Sequence, residues 1–244
     1  MAGPSRIEWT ESSWNPVTGC TKASPGCLNC YAERLAKRLQ AMGQPNYRDG
    51  FRVALHPGGL DAPLRWRRPQ RIFVNSMSDL FHEDVPLAFI RRVFAVMEQA
   101  DWHVFQALTK RAERLEELAE CLPWPDNVWV GVSVENAECA TRIEALRQVP
   151  AATRFISFEP LLGDVGTVDL AGIHWAIVGG ESGPGARPMQ PEWALAIRDQ
   201  CHEQHVPFFF KQWGGVHKKK ASRTLDGRVW DEYPARRTLL ATGR

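Results

Sequence analysis

Three cysteines crowd into eleven positions, in the run Cys20-Thr-Lys-Ala-Ser-Pro-Gly-Cys27-Leu-Asn-Cys30. Cys27 and Cys30 have the spacing of a metal clip. Pro25-Gly26 can turn the chain back so that Cys20 joins them. Three thiolates on one loop can hold three irons of a [4Fe–4S] cluster, with the fourth iron open to an exogenous ligand. Structural zinc wants four ligands. No nearby CxxC or HxxxH pair supplies a fourth, which leaves His56, His82 or another side chain. The third reading is three reduced, unligated thiols. Ligand number and spacing favour iron–sulfur. The other cysteines read as core or surface thiols: Cys139 shares a helix face with Ile143 and Leu146, Cys201 shares one with Ile197, and Cys121 ends a helix.

A second chemical pattern is a set of apolar runs that turn polar at their C-terminal ends. One run ends Asn75-Ser76-Met77-Ser78-Asp79, and another Thr109-Lys110-Arg111. Three more end in Ser133-Val134-Glu135, in Ser157-Phe158-Glu159 and in Gly179-Gly180-Glu181. The last ends Lys211-Gln212-Trp213. Each polar residue alone can be a helix cap, and Asn75, Asp79 and Asn136 suit that role. Glu135, Glu159 and Glu181 are harder to explain singly. Three carboxylates at three strand ends would converge if the sheet closes. They could then orient an amine, hold a metal or exchange protons. Gly179-Gly180 would let a backbone approach a ligand closely.

The elements that must position these groups alternate along the chain. Strands are predicted at Arg6–Trp9, Arg71–Ser76, Trp102–Leu108, Asn127–Val134, Arg154–Phe158, Ile173–Val178 and Val206–Lys211. Helices are predicted at Leu28–Ala41, Pro86–Gln99, Ala112–Cys121, Ala137–Arg147 and Pro191–Gln204. Gly43–Gln70 reads as an excursion, and Glu159–Gly172 as a loop. Such alternation implies βαβ units and a parallel sheet. Six or seven units in 244 residues fit a single-domain α/β protein, a partial (β/α) TIM-like barrel, better than an open doubly wound sheet. Val128, Val130, Val132 and Val134 alternate with Trp129, Gly131, Ser133 and Glu135. The valines therefore belong on the helix-covered face and the others inside the barrel.

Composition narrows the function classes. Hydrophobic residues are 44% and charged residues 24%, which excludes a disordered or collagen-like chain. No apolar run is long enough to cross a membrane, and the first ten residues lack a signal-peptide core, so a cytoplasmic protein is expected. Thirty basic and 28 acidic residues nearly cancel. Residues 216–244 form a basic tail, with eight Lys or Arg against three Asp or Glu, and residues 1–215 form the barrel domain. Arg65-Trp66-Arg67-Arg68 and Arg71 could grip phosphates and stack on bases. Lys218-Lys219-Lys220 and Arg223 extend the basic surface, and Lys110, Lys211 and Arg187 could meet an anion. A nucleic-acid or nucleotide substrate is the leading expectation.

Several motifs together resemble a bacteriophage and bacterial family of three-cysteine proteins of unknown function. They include Trp14-Asn15-Pro16-Val17-Thr18-Gly19-Cys20, Cys27-Leu28-Asn29-Cys30-Tyr31-Ala32-Glu33-Arg34 and Phe73-Val74-Asn75-Ser76-Met77-Ser78-Asp79-Leu80-Phe81. Val130-Gly131-Val132-Ser133-Val134-Glu135-Asn136, Ser157-Phe158-Glu159-Pro160-Leu161-Leu162-Gly163, Gly179-Gly180-Glu181-Ser182-Gly183 and Phe210-Lys211-Gln212-Trp213-Gly214 continue the match in order. That family is in turn similar to radical S-adenosylmethionine (SAM) enzymes. The resemblance implies a partial barrel with the cluster cysteines after the first strand. It also implies an open iron that binds the amino and carboxylate groups of SAM, and reductive cleavage of SAM to a deoxyadenosyl radical that abstracts hydrogen from substrate.

On this resemblance Cys20, Cys27 and Cys30 are the cluster ligands. The spacing here is Cys-x6-Cys-x2-Cys, where the superfamily usually has Cys-x3-Cys-x2-Cys. The usual Gly-Gly-Glu follows the second strand, whereas here it ends the sixth. The SAM contacts are therefore assigned by barrel position, to Asn75, Ser76, Ser133 and Glu135. Glu159, Glu181 and Lys211 are expected to face the substrate, with DNA repair or base modification as the suited role. Two rivals remain. One is a non-catalytic nucleic-acid-binding module stabilised by zinc or a cluster. The other is a carboxylate-metal hydrolase built on Glu135, Glu159 and Glu181.

Overall fold

A computed structural model describes residues 2–216 and 222–235. The elements in chain order are β1 (Ala2–Pro4), β2 (Ser12–Trp14), β3 (Val17–Thr18), α1 (Tyr31–Ala41), β4 (Ala54–Leu55), β5 (Arg71–Val74) and α2 (Leu87–Gln99). Then follow β6 (Val104–Thr109), α3 (Ala112–Leu118), β7 (Val128–Ser133), α4 (Arg142–Arg147), β8 (Thr153–Phe158), β9 (Trp175–Gly179), α5 (Pro191–Glu203), β10 (Phe208–Gln212), β11 (Thr224–Leu225) and β12 (Arg228–Val229).

The main sheet has eight strands in the order β1-β2-β5-β6-β7-β8-β9-β10. Every pairing from β2 to β10 is parallel, and β1 is an antiparallel edge. This is the α/β architecture with seven parallel strands that the alternation of patterns implied. The hydrogen-bond order is open: β10 does not pair with β1 among the described residues.

One predicted strand is corrected. Arg6–Trp9 is not a strand, and the first parallel strand is Ser12–Trp14. Trp9 turns inward instead and is 2% exposed. Its ring lies 4.7 Å from Phe73 on β5, 6.4 Å from Phe155 on β8 and 6.2 Å from Trp175 on β9. In a flat sheet β5 and β9 would be about 19 Å apart. The sheet is therefore strongly curled, and aromatic rings fill its concave side.

The two faces differ in chemistry. On the convex face the β7 valines pack with Ile156, Val178, Phe208 and Phe210 beneath the helices. Helix α2 supplies Phe89, Ile90, Val93, Phe94 and Met97, one apolar stripe at helical spacing. Each such side chain contributes about 1.5–3 kcal/mol by burial. The concave face carries Trp9, Phe73, Trp129, Phe155, Trp175, Ile177 and Phe209. The alternation expected of β7 is thus observed on both faces.

Residues after β12 cover the sheet's last edge. The amide of Phe210 donates to the Trp230 carbonyl at 2.9 Å, and Asp231 bridges Phe209 in antiparallel fashion. Tyr233 stacks near Trp175 at 5.1 Å and lies under the Arg71 guanidinium at 4.2 Å. These contacts plug the N-terminal end of the curled sheet and leave its C-terminal end open.

Candidate active site

A cavity of about 450 Å³ opens at the C-terminal ends of the parallel strands. Its lining includes Cys20, Cys27 and Cys30, together with Asn75, Ser76, Ser133, Glu159, Glu181 and Lys211. Nine of the ten residues singled out from sequence therefore face one space. The tenth, Glu135, is fully buried behind it.

The cysteine loop reaches the cavity because β2 ends at Trp14 and the chain then crosses the sheet's mouth. A 3-10 turn over Pro25–Cys27 sets Cys27, and Cys30 is the N-cap of α1. The predicted helix thus begins three residues late, which frees Cys30 from the helix body. Burial, with Asp79 nearby, pushes the Cys20 thiol up to about 12, and burial likewise raises Cys30. The guanidinium of Arg111 lies 3.5 Å from Cys20 Sγ. Arg111 also bonds Thr21 and pairs with Asp79 at 3.3 Å and Glu83 at 2.5 Å. The sequence signal for this contact was the Lys110-Arg111 strand end, and its partner could not be read from it.

Among the described residues, no three His, Cys, Asp or Glu side chains converge on a point that would hold a single metal ion. Tetrahedral zinc needs sulfurs about 3.8 Å apart. Both histidines considered as a fourth zinc ligand are engaged elsewhere. His56 Nε2 bonds Thr18 Oγ1 at 2.7 Å, and His82 Nε2 bonds Thr21 Oγ1 at 2.8 Å. Cys139 and Cys201 are buried and Cys121 is exposed.

The three strand-end carboxylates have different surroundings. Glu135 accepts from Lys110 Nζ at 2.6 Å, Arg142 Nη1 at 2.8 Å and Ser24 Oγ at 2.6 Å. Burial alone would raise its pKa, but Lys110 and the hydrogen bonds hold it at about 2. Glu181 takes a two-pronged bond from Arg187, at 2.9 and 2.6 Å, and a further one from Asn29 at 3.0 Å. Burial opposes ionisation there too, yet these donors hold it at about 2. Glu159 instead pairs with Lys211 at 2.8 Å, and both side chains remain partly accessible, 14% and 15%.

These positions bear on several expectations. Glu181, which lines the cavity, is paired with Arg187. Lys110 is committed to Glu135. Gly179-Gly180 makes room for protein: a Cβ would lie 2.4 Å from Glu159 Oε1 at Gly179 and 2.0 Å from the Trp213 carbonyl at Gly180, which also lines the cavity. The Arg65–Arg71 group is not at the cavity. Arg71 begins β5 at the opposite end, about 13 Å away along the strand, and is taken up by Tyr233 and by Glu11 at 3.6 Å. Trp66 packs against His103 at 6.1 Å and Arg65 pairs with Asp61. Lys218-Lys219-Lys220 lie outside the described residues. Arg223 is held by Asp231 and lies over the Phe209 ring at 5.0 Å. Asn136 is a cap, accepting from the amide of Cys139 at 3.3 Å.

Asn75 is different. Its backbone is left-handed, with φ 63°, and its Oδ1 accepts from the amide of Val17 at 3.2 Å. That bond leaves Nδ2 as a buried donor with no partner among the described residues. Gln212 Oε1 is a buried acceptor in the same condition. Both residues line the cavity. Unsatisfied buried groups of this kind cost about 1–3 kcal/mol each.

Residues 4–234 match the family described as Protein of unknown function (DUF5131). The chain belongs to that family. No curated protein matches it. Among solved structures it is similar to a mutant spore photoproduct lyase with dinucleoside spore photoproduct, at 12% identity and a TM-score of 0.52. That match covers 82% of this chain and 63% of the other. A second, spore photoproduct lyase complexed with dinucleoside spore photoproduct, has 12% identity, the same coverages and a TM-score of 0.48. A third, a mutant with bound AdoMet and the same dinucleoside, has 13% identity, covers 70% and 56%, and scores 0.47. The likeness shows a shared fold, and the chain spans less than two thirds of the lyase's length. No helix among the described residues is long and apolar enough to cross a membrane.

Proposed function

We propose that this protein is a radical SAM-like iron–sulfur enzyme acting on a nucleic-acid-derived substrate. The observation that carries the reading is the placement of Cys20, Cys27 and Cys30 on one cavity at the C-terminal mouth of a curled parallel sheet. Three cysteines on one cavity, with His56 and His82 both engaged by threonines and so not supplying a fourth ligand, suit a three-cysteine cluster better than a four-ligand zinc site. The fold shared with spore photoproduct lyase agrees with a partial barrel and with this substrate class. The unpartnered amide atoms of Asn75 and Gln212 suit a polar ligand in the same cavity.

In this reading Cys20, Cys27 and Cys30 would hold a [4Fe–4S] cluster. When bound and reduced it would supply one electron to the sulfonium of SAM, giving methionine and a deoxyadenosyl radical. The chain's own residues do the rest. Asn75, Ser76 and Ser133 orient the cofactor's polar groups. Glu159 and Lys211 face the substrate, where the pair can hold or pass a proton. The aromatic floor of Trp9 and Phe73 excludes water beneath. Lys110, Arg111 and Lys211 are each paired to a carboxylate, and Arg6 adds a further cation to the lining that can meet an anionic part of the substrate.

The test is anaerobic reconstitution followed by iron and sulfide analysis. About four irons per chain are expected. Dithionite with SAM should then release 5′-deoxyadenosine, faster with an ultraviolet-damaged dinucleotide present. Binding of one zinc and no iron under anoxia would sink the proposal. The carboxylate-hydrolase alternative loses ground because Glu135 and Glu181 are saturated by protein donors.

A further inference from the structure

The loop after β9, residues 180–187, lies over the cysteine loop and the start of α1. Its base is fixed on the chain after β10: the amide of Gly215 donates to the Glu181 carbonyl at 2.7 Å, and that of Gly183 to the Gly215 carbonyl at 3.0 Å. Its tip meets three parts of the cysteine segment. Asn29, between Cys27 and Cys30, donates to Glu181 at 3.0 Å and to the Gly185 carbonyl at 2.8 Å. Arg34 of α1 donates to the carbonyls of Pro184 at 2.7 Å and Ser182 at 2.8 Å. Arg187 Nη2 donates both to Glu181 at 2.6 Å and to the Pro25 carbonyl at 3.0 Å.

The opposite flank of the same segment rests on Glu135. Ser24 donates to that carboxylate at 2.6 Å. Gly26 lies flat on it, since a Cβ there would be 2.5 Å from Oε1. The cysteine loop is therefore gripped on two sides by carboxylates from the ends of β7 and β9. The β9 grip runs through one side chain, Arg187, that spans two partners, Glu181 and the Pro25 carbonyl.

The geometry points to Arg187 as a positioning residue that latches the 180–187 loop over Cys27 and Cys30 and so shapes the three-thiol site. The inference rests on the cluster reading for its consequence, but the latch itself is a property of the chain. Only a planar fork can serve Glu181 with two parallel bonds and reach the Pro25 carbonyl as well. Lysine at this position keeps the charge and loses the fork.

Amide hydrogen exchange on the full chain without metal tests the latch directly. In Arg187→Met, exchange in residues 20–34 and 180–187 should rise about tenfold. Arg187→Lys should give an intermediate rise, and Arg198→Met, a distant ion-pair control, none. After reconstitution, Arg187→Met should hold less than about half the iron of the parent. Its reduced-cluster electron paramagnetic resonance signal should also lose the change that SAM produces. Glu181→Gln provides a second route should Arg187→Met fail to fold, and should move the same two segments. Wild-type exchange in both segments of Arg187→Met, or of Glu181→Gln in its place, overturns the latch. Faster exchange in a protein whose wild type takes up no iron upholds the latch and overturns the cluster reading instead.

Discussion

Glu159 and Glu135 follow neighbouring strands, β8 and β7, yet have opposite surroundings. Glu135 is enclosed by two cations and a serine and reaches nothing beyond the protein. Glu159 pairs with Lys211, takes only a long bond of 3.5 Å from Ser157 Oγ besides, and faces the cavity. Glu181 on β9 resembles Glu135, because Arg187 and Asn29 take both its oxygens. The difference lies in what crosses each strand end. The cysteine loop passes over β7 and β9 and is tied to them, whereas over β8 the space stays open. A carboxylate at a rim is thus enclosed or left open according to its covering.

That contrast can be broken most decisively at the cysteines. Cys27→Ala should abolish iron binding and deoxyadenosine release. Glu159→Gln should retain iron and SAM cleavage while slowing substrate turnover about 10²-fold, read by single-turnover kinetics. Equal iron loss in the two variants would erase the distinction. Stability sharpens it next. Glu135→Ala strands Lys110 and Arg142 and should cost about 3–5 kcal/mol in urea unfolding. Glu159→Ala should cost about 1 kcal/mol, since its partner keeps access to solvent.

Acid gives a smaller, graded effect. Glu135 and Glu181 have folded-state pKa values of about 2 against an ordinary 4.5. A depressed carboxylate stabilises the fold above its unfolded pKa and loses that contribution as pH falls through the folded one. Each should therefore contribute ~3 kcal/mol at neutral pH, lost progressively from about pH 4.5 to pH 2. Glu181→Gln should flatten the stability profile in that window, and an unchanged slope would count against its pairing with Arg187. Least of all, neutralising Arg67 and Arg68 together should leave iron content unchanged and stability within about 0.5 kcal/mol, because both lie at the far end of β5.

Much of this was legible in the chain. Period-two alternation around β7 announced the parallel sheet and its two faces, and most strand-end residues singled out do meet at one cavity. Roles were less legible. Glu135, Glu159 and Glu181 share one pattern, and nothing local separates a carboxylate beside a lysine from one beneath a loop. The Trp9 segment departs from its sequence pattern for a similar reason: an apolar pair reads as a strand whether it pairs in a sheet or plugs one.

The amino-acid order alone therefore determined the alternation, the strand polarity and the crowding of three thiols, because these depend on side-chain period and short spacing. Tertiary structure alone decided which carboxylate is left open, where the arginines go and what the glycines make room for. Those outcomes depend on partners far apart in sequence, such as Ser24 with Glu135 and Asn29 with Glu181, whose meeting is set by the curl of the sheet.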